Sequence, residues 1–453
     1  MRMRQLLLLV FLIGQMQLLA QKNTNEWVGL FNGRDLSGWK QLNGKAKYSV
    51  SNGEIIGTTV FGEPNSFLVT EKKYKDFILE LEFKLDAEMN SGIQFRSESK
   101  PEYQNGRVHG YQFEIDPSPR AWTGGIYDEA RRDWLYPLDY NPSAKTAYKA
   151  GQWNKCRIEC IGNAIRTFVN GVPTAHMVDD LTPEGFIALQ VHSIGKQEET
   201  GKKIRWRNIR IKTTKLQSTV PDKVFVANFI PNHLSEAEKK NGVQLLFDGV
   251  STKGWRGAYK KSFPEKGWEV KDGTLRVLPA TGGESVNGGD IVSEQEYSAF
   301  IFQFEFKMTE GANSGVKYFV TENEKNAGSA IGLEYQVLDD EKHPDAKMGS
   351  INNRTLASLY DLIPSVREPR ARRKIGEWNK GMIIVQPNGI VTHYLNGWKM
   401  LEYQRGAQYY YALVAKSKYA QWPNFGMSPQ GRLLIQDHGN EVWYRSIKIQ
   451  ELK

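Results

Sequence analysis

Hydrophobic and polar positions alternate along this chain in short runs, and neither half shows a sustained helical period. Phe77–Leu85 and Phe300–Met308 alternate apolar with polar residues, the pattern of a half-buried strand. Asn52-Gly53, Asn170-Gly171, Asp272-Gly273 and Asn396-Gly397 read as hairpin turns between such runs. Gly110–Asp116 is the most informative run. Tyr111, Phe113 and Ile115 fall on one side of it, and Gln112, Glu114 and Asp116 on the other. Gly332–Val337 repeats the pattern with Glu334 and Gln336, the acid and the amide exchanged.

The repetition extends over the whole chain. Leu30–Trp39 recurs as Leu246–Trp255, Tyr48–Gly53 as Trp268–Gly273, and Asn90–Ile93 as Asn313–Val316. Gly151–Lys155 recurs as Gly376–Lys380, and Leu189–His192 as Ile435–His438. One domain is therefore written twice. The reading is a first domain at 25–215, a linker at 216–240 and a second domain at 241–453. Many short strands with Gly and Asn turns predict an all-β fold, one β-sandwich or jelly roll per copy. In the linker, Ser235-Glu236-Ala237-Glu238 has the capping-box pattern of one short helix. The second copy carries an aromatic insertion between Leu401 and Gly431, with Tyr409, Tyr410, Tyr411, Tyr419, Trp422 and Phe425.

Parity within the strands groups the candidate chemistry. In the first copy Gln94 with Arg96, Gln112 with Glu114, and Gln190 with His192 each share a polar face. In the second copy Lys317, then Glu334 with Gln336, then Gln436 with His438 do the same. If these strands adjoin, each domain has a polar concave face holding a carboxylate, amides, an imidazole and a cation. Tyr127 and Tyr360 occupy corresponding loops, and Trp122, Trp134 and Tyr136 suit stacking on the apolar face of a sugar. A His, Glu, Gln and Asp cluster on strands also suits a hard or borderline divalent metal ion of unspecified identity. No nucleophile elbow, P-loop, dinucleotide fingerprint or cysteine-metal spacing is present.

Composition narrows the picture in three ways. The net charge of +9 is scattered, and its densest run, Lys202–Lys212, alternates like a solvated strand, so a nucleic-acid partner is not expected. Residues 1–20 combine Arg2 and Arg4, the apolar run Leu6–Ile13 and a small residue at Ala20. They read as a cleaved signal peptide, which predicts a periplasmic or secreted protein without a stable membrane anchor. Oligomeric state is left open. Cys156 and Cys160 lie four residues apart on one strand, roughly 13 Å, too far to bridge. Two free, inward-facing thiols are expected.

The set of motifs resembles a known family. Gly110–Asp116 with Pro117–Arg120, Gly124–Glu129 and Gly151–Asn154 is similar to the DUF1080 family of 3-keto-disaccharide hydrolases, also described as 3-keto-glucoside 1,2-lyases and 2-hydroxy-3-keto-glucal hydratases. Glu334–Asp340, His343, Leu359–Asp361, Gly376–Asn379, Tyr394–Gly397 and Gln436–Gly439 resemble the same family. The resemblance implies two tandem concanavalin-A-like jelly-roll β-sandwiches, bacterial export and action on oxidised glycosides. Glucanases of that fold carry a Glu-x-Asp-x-x-Glu strand; here Glu114-Ile115-Asp116 is followed by Pro117-Ser118-Pro119, so the third carboxylate is missing. That disfavours two-carboxylate hydrolysis. A 3-keto sugar instead permits removal of the acidified C2 proton and loss of the aglycone from C1, with water adding later. On this reading Glu114 and His192, and Glu334 and His438, are bases or metal ligands. Gln94, Arg96, Gln112, Gln190 and Trp122, and Lys317, Gln336 and Gln436, hold substrate. Tyr127 and Tyr360 are acids or hydrogen-bond donors. The alternative is a non-catalytic, lectin-like carbohydrate-binding protein.

Overall fold

The computed structural model describes residues 26–219, 223–280, 283–326, 329–422 and 424–453. The signal-peptide reading of residues 1–20 lies outside them. The chain divides into two units. One takes the described residues through Arg131, Pro142–His176 and those of Leu181–Pro221; the other takes Arg132–Asn141, Met177–Asp180 and those of Asp222–Lys453. Each is built on two antiparallel sheets, making tandem β-sandwiches. No helix among the described residues is long and apolar enough to cross a membrane.

In the first unit one sheet runs in the order Ala164–Val169, Asn154–Ile161, Phe77–Leu85, Lys203–Lys212, Glu54–Thr58, Lys47–Ser51. The sheet facing it runs Ile126–Glu129, His109–Ile115, Ser91–Glu98, Phe186–Val191, Ser66–Thr70, Trp39–Asn43. In the second unit Trp268–Lys271, Thr274–Val277, Val442–Glu451, Phe300–Met308, Asn379–Val385, Ile390–Leu395 and Trp398–Gln404 form one sheet. Trp255–Gly257, Ile291–Tyr297, Gly431–Ile435, Asn313–Asn326 and Ser329–Leu338 form the other. Alternation sorts the side chains as expected. Ile93 pairs with Phe113 and packs inward, where Phe113 meets Phe83 of the facing sheet edge-on at 6.2 Å. Val316 pairs with Tyr335, which meets Phe304 edge-on at 5.3 Å. Cys156 and Cys160 are free and buried, and burial pushes the Cys160 thiol up to about 12.

One irregularity recurs in both sandwiches. The strand Ser91–Glu98 gains one residue against Phe186–Val191, since Ser97 pairs with Phe186 but Gln94 with Ala188. Arg96, at this bulge, has φ of +44°. Val320 pairs with Arg432 and Lys317 with Leu434, and Phe319 has φ of +52°. A glycine backs each bulge. A Cβ on Gly185 would lie 2.4 Å from the Arg96 carbonyl carbon, and one on Gly431 would lie 2.5 Å from Phe319 Cα.

The linker forms the predicted helix, Glu236–Lys240, with its capping box complete. Ser235 N donates to Glu238 Oε2 at 2.7 Å and Glu238 N donates to Ser235 Oγ at 3.3 Å. Glu238 also accepts from Lys448 Nζ at 3.0 Å and Asn228 Nδ2 at 2.6 Å, so the helix is fastened to the second unit through a buried ion pair.

The backing glycines generate a prediction. Gly185→Ala and Gly431→Ala each push backbone against backbone and lower stability by about 1–3 kcal/mol, read as a shift in the urea midpoint.

Candidate functional site

Cross-strand register assembles the polar face row by row, because residues directly opposite each other point to the same side. In the first unit Gln94, Gln112 and Tyr127 form one row, and Gln190, Gly92 and Glu114 the next. In the second unit Lys317 opposes Glu334, and Gly315 opposes Gln336. Tyr360 follows in the Lys317 row, its N–H donating to the Glu334 carbonyl at 3.0 Å. Gln436 follows in the other, donating from its backbone to Gly315 O at 2.9 Å. The glycines matter here. A Cβ on Gly92 would strike the Gln112 side chain at 2.3 Å, and one on Gly315 would strike Glu334 Oε1 at 2.2 Å. Each glycine leaves the space into which its neighbour's polar side chain leans.

The first polar face is a relay of amides ending on a carboxyl. Ser97 Oγ donates to Gln94 Oε1 at 2.7 Å, Gln94 Nε2 to Gln112 Oε1 at 2.5 Å, and Gln112 Nε2 to Glu114 Oε2 at 2.7 Å. Asn90 Nδ2 donates to Glu114 Oε1 at 2.7 Å. Burial raises the Glu114 carboxyl to about 7, against the lowering effect of Asn90 and Gln112. The next carboxylate along the strand, Asp116, is held by Arg120 at 2.9 Å and by the Ser118 N–H at 3.1 Å. Gln190 is buried with neither amide atom hydrogen-bonded. His192 donates from Nδ1 to Ser193 O at 2.6 Å, and its charge acts on Glu129. Glu129 is raised by burial, pairs with Arg107 at 3.2 Å, and lies in turn in the field of Glu114.

The second polar face is charged. Burial raises Glu334 to about 7, although Lys317 and Lys418 pull it down. Burial draws Lys317 down, but Glu334, Asp290 and Glu284 outweigh it and raise it overall, so the amine stays a cation. Its Nζ lies 3.7 Å from Glu284 and 3.9 Å from Asp290. Gln436 Nε2 donates to Glu284 at 3.0 Å, leaving Oε1 buried without a partner. With its amide turned so that the carbonyl faces Asn313, Gln336 Nε2 lies 3.2 Å from Glu334 Oε1. Tyr360 donates its hydroxyl to Asp345 Oδ2 at 2.8 Å, and burial holds the phenol far above its ordinary range. His438 meets His343 edge-on at 5.7 Å, and its Nδ1 is buried and unpartnered.

Three expectations need correction. Arg96 does not join Gln94, because the bulge between them breaks the alternation. Its guanidinium turns to the bend that precedes the strand Phe77–Leu85, donating to Lys75 O at 2.7 Å and Asp76 at 3.0 Å. Trp122 offers no open stacking face: it is buried, with the Arg120 guanidinium over its ring at 4.7 Å. Trp134 and Tyr136 are buried as well. Among the described residues no three His, Cys, Asp or Glu side chains converge to hold a metal ion. A divalent ion held by Glu114 and His192, or by Glu334 and His438, would need its remaining ligands from substrate or water. Sequence reasoning missed Glu129, at the end of the strand Ile126–Glu129, and Glu284, Asp290, Asp345 and Lys418, which reach the second polar face from outside its strands. The one advance signal was the aromatic insertion that carries Lys418.

Two β-sandwiches, each with a buried carboxyl on an amide-lined face, define the class. The chain belongs to the family of 3-keto-alpha-glucoside-1,2-lyase-like domains, matched twice, at residues 26–212 and 242–450. It is 37% identical over 233 residues to a Bacteroides thetaiotaomicron protein named 3-keto-disaccharide hydrolase, spanning 47% of this chain and 79% of that one. A Parabacteroides distasonis structure, determined as that of a candidate glycosyl hydrolase, is 30% identical with a TM-score of 0.43 and covers 49% of this chain and 100% of its own. The carbohydrate-binding module CBM66 of Bacillus subtilis is 15% identical with a TM-score of 0.26, covering 38% of this chain and 94% of its own.

The raised carboxyls have a consequence for stability. Glu114 and Glu334 go from 4.5 to about 7 on folding. Between those pH values the native state holds protons that the unfolded chain has released, so stability falls as pH rises through the window. Each contributes on the order of 3 kcal/mol to that fall. Glu114→Gln should flatten the dependence, narrowing the gap between melting temperatures at pH 4.5 and pH 8.

Proposed function

We propose that this protein cleaves 3-keto-glycosides by elimination, with water adding afterwards to give net hydrolysis. The observation that carries the reading is a buried carboxyl, raised to about 7, on the polar face of both family-matched sandwiches. A carboxyl poised near neutrality can both take and return a proton. The ketone at C3 acidifies the C2 hydrogen. The carboxylate removes that proton, the C1–O bond breaks, and the C1–C2 double bond forms as the aglycone oxygen leaves and is protonated. Water then delivers oxygen to C1 and a proton to C2. Negative charge on the C3 oxygen would be met by amide N–H groups on the first face and by the Lys317 ammonium on the second. The names of the relatives support the substrate class.

Two-carboxylate hydrolysis of an ordinary glycoside suits these faces poorly. Asp116, the next residue beside Glu114, is occupied by Arg120 and Ser118, and the position beside Glu334 is an amide, Gln336. Tyr360 serves as a donor and not as a base, since burial keeps its phenol protonated. The basic and apolar leader at residues 1–20 supports action in the periplasm or outside the cell.

The test uses one disaccharide before and after oxidation at C3. Cleavage is expected only after oxidation, with solvent deuterium entering at C2 of the released sugar. Equal turnover of the unoxidised disaccharide would refute elimination. Saturable binding of either sugar without turnover would favour a non-catalytic carbohydrate-binding protein.

A further inference from the structure

The two sandwiches place different charges on the same scaffold. In the first, Gln94 faces Gln112 and the carboxyl sits one pair further on, at Glu114 opposite Gly92. In the second, the carboxyl occupies the row of the cation, Glu334 opposite Lys317, and the amide Gln336 faces Gly315. The acid has thus moved by two residues, about 7 Å along the strand. Its company differs too. Both oxygens of Glu114 accept from neutral amides, one of which is fixed by a further amide. Glu334 lies in the field of two lysines, Lys317 and Lys418, which pull it down, and of two carboxylates, Glu284 and Asp290, which push it up.

The second of those lysines comes from the insertion. Where the first copy passes directly from the strand Val172–Val178 to Phe186–Val191, the second builds a helix, Gln408–Ala415, and a 3-10 turn, Lys418–Gln421. Aromatic packing fixes the excursion. Tyr410 donates to Phe425 O at 2.6 Å and lies parallel to Tyr403 at 6.1 Å, while Tyr419 stacks on Phe425 at 4.0 Å. Ser417 Oγ caps the turn, and the Lys418 N–H donates to Asp361 Oδ2 at 3.0 Å. The result is that Lys418 Nζ stands 4.3 Å above the Tyr360 ring, and Tyr360 is the cross-strand neighbour of Glu334.

Resting on the glycoside-cleaving reading, we propose that proton transfer belongs to the second copy, and that the insertion makes it so by holding Lys418 as a positioning residue for Glu334. Lys317 from the sheet and Lys418 from the insertion then face the negative charge that develops on the sugar. The first face, whose other carboxylates Asp116 and Glu129 are each paired with an arginine and which offers no lysine to its carboxyl, is left to bind hydroxyl groups through Gln112 and Gln190. Lys418 acts on Glu334 through space, so removing its charge raises the pH at which Glu334 ionises.

Four variants test this: Glu334→Gln, Glu114→Gln, Lys418→Met and Lys418→Arg, each checked for folding by its melting curve. On a C3-oxidised disaccharide, Glu334→Gln should lose at least about 100-fold more kcat than Glu114→Gln does. Lys418→Met should move the acidic limb of the kcat/KM profile upward by a few tenths of a pH unit to about one. Lys418→Arg should restore it, which recovery of packing alone would not do. A second readout needs no turnover. The infrared carboxyl band that disappears in Glu334→Gln should titrate at higher pH in Lys418→Met than in the wild type. An unshifted band, or a larger loss in Glu114→Gln than in Glu334→Gln, overturns the proposal. Absence of wild-type turnover overturns the catalytic assignment together with the reading beneath it, whereas the coupling of Lys418 to Glu334 is decided by the band alone.

Discussion

One extra residue in one strand of each sandwich determines which side chains meet on the polar face. A strand assigns its side chains to two faces by strict alternation, so a bulge reverses every later assignment. The bulge at Arg96 and its counterpart at Phe319 sit where the left-handed backbone is unfavourable for a side chain. Gly185 and Gly431 make the conformation possible, because no other residue leaves room for the bulged backbone against the neighbouring strand. Up to that point Gln94 and Lys317 face outward beside the carboxyls. Beyond it Arg96 turns to Asp76 and Phe319 joins the core. A regular strand would have put a guanidinium on the polar face of the first copy.

A second constraint acts inside the face. Gly92 and Gly315 are the only positions in their rows without a side chain to fill the space between strands, and Gln112 and Glu334 lean into it. The Glu334 carboxyl is thereby withdrawn from water, while Glu114 is buried among the amides of Asn90 and Gln112, and the proton affinity of both follows. Burying an ionisable group costs stability, and here the cost appears as a raised carboxyl in both copies. Two neutral amides hold one of these groups and two cations flank the other, so the shared scaffold supports different electrostatics. The divergence comes from few changes: an acid and an amide exchanged along one strand, a glutamine replaced by Lys317, and an insertion that carries Lys418.

Much of the architecture was legible in the sequence because it rests on local, periodic signals. Alternation marked Phe77–Leu85 and Phe300–Met308 as strands with those same bounds. The duplicated motifs announced two copies, and Ser235-Glu236-Ala237-Glu238 announced the linker helix, since a capping box is satisfied within four residues. Parity also placed Gln112 beside Glu114 and Glu334 beside Gln336, because neighbouring positions on one strand need no knowledge of the rest of the fold. Cys156 and Cys160 could be read as unbridged from strand rise alone.

What the sequence could not reveal depends on contacts between distant segments. The bulge that removes Arg96 is a mismatch in length between two paired strands, invisible in either one. Trp122 is covered by Arg120 through the turn of its own loop, so composition suggested a stacking surface that packing closes. The charges that surround Lys317 and Glu334 on the second face come from Glu284, Asp290, Asp345 and Lys418, four residues outside the strands whose spacing along the chain carries no period. Residue identities and local alternation determined the strands, the duplication and the two carboxyl-bearing rows. Only tertiary structure decided which loops converge on those rows, because that depends on strand register and on the burial that gives each charge its strength.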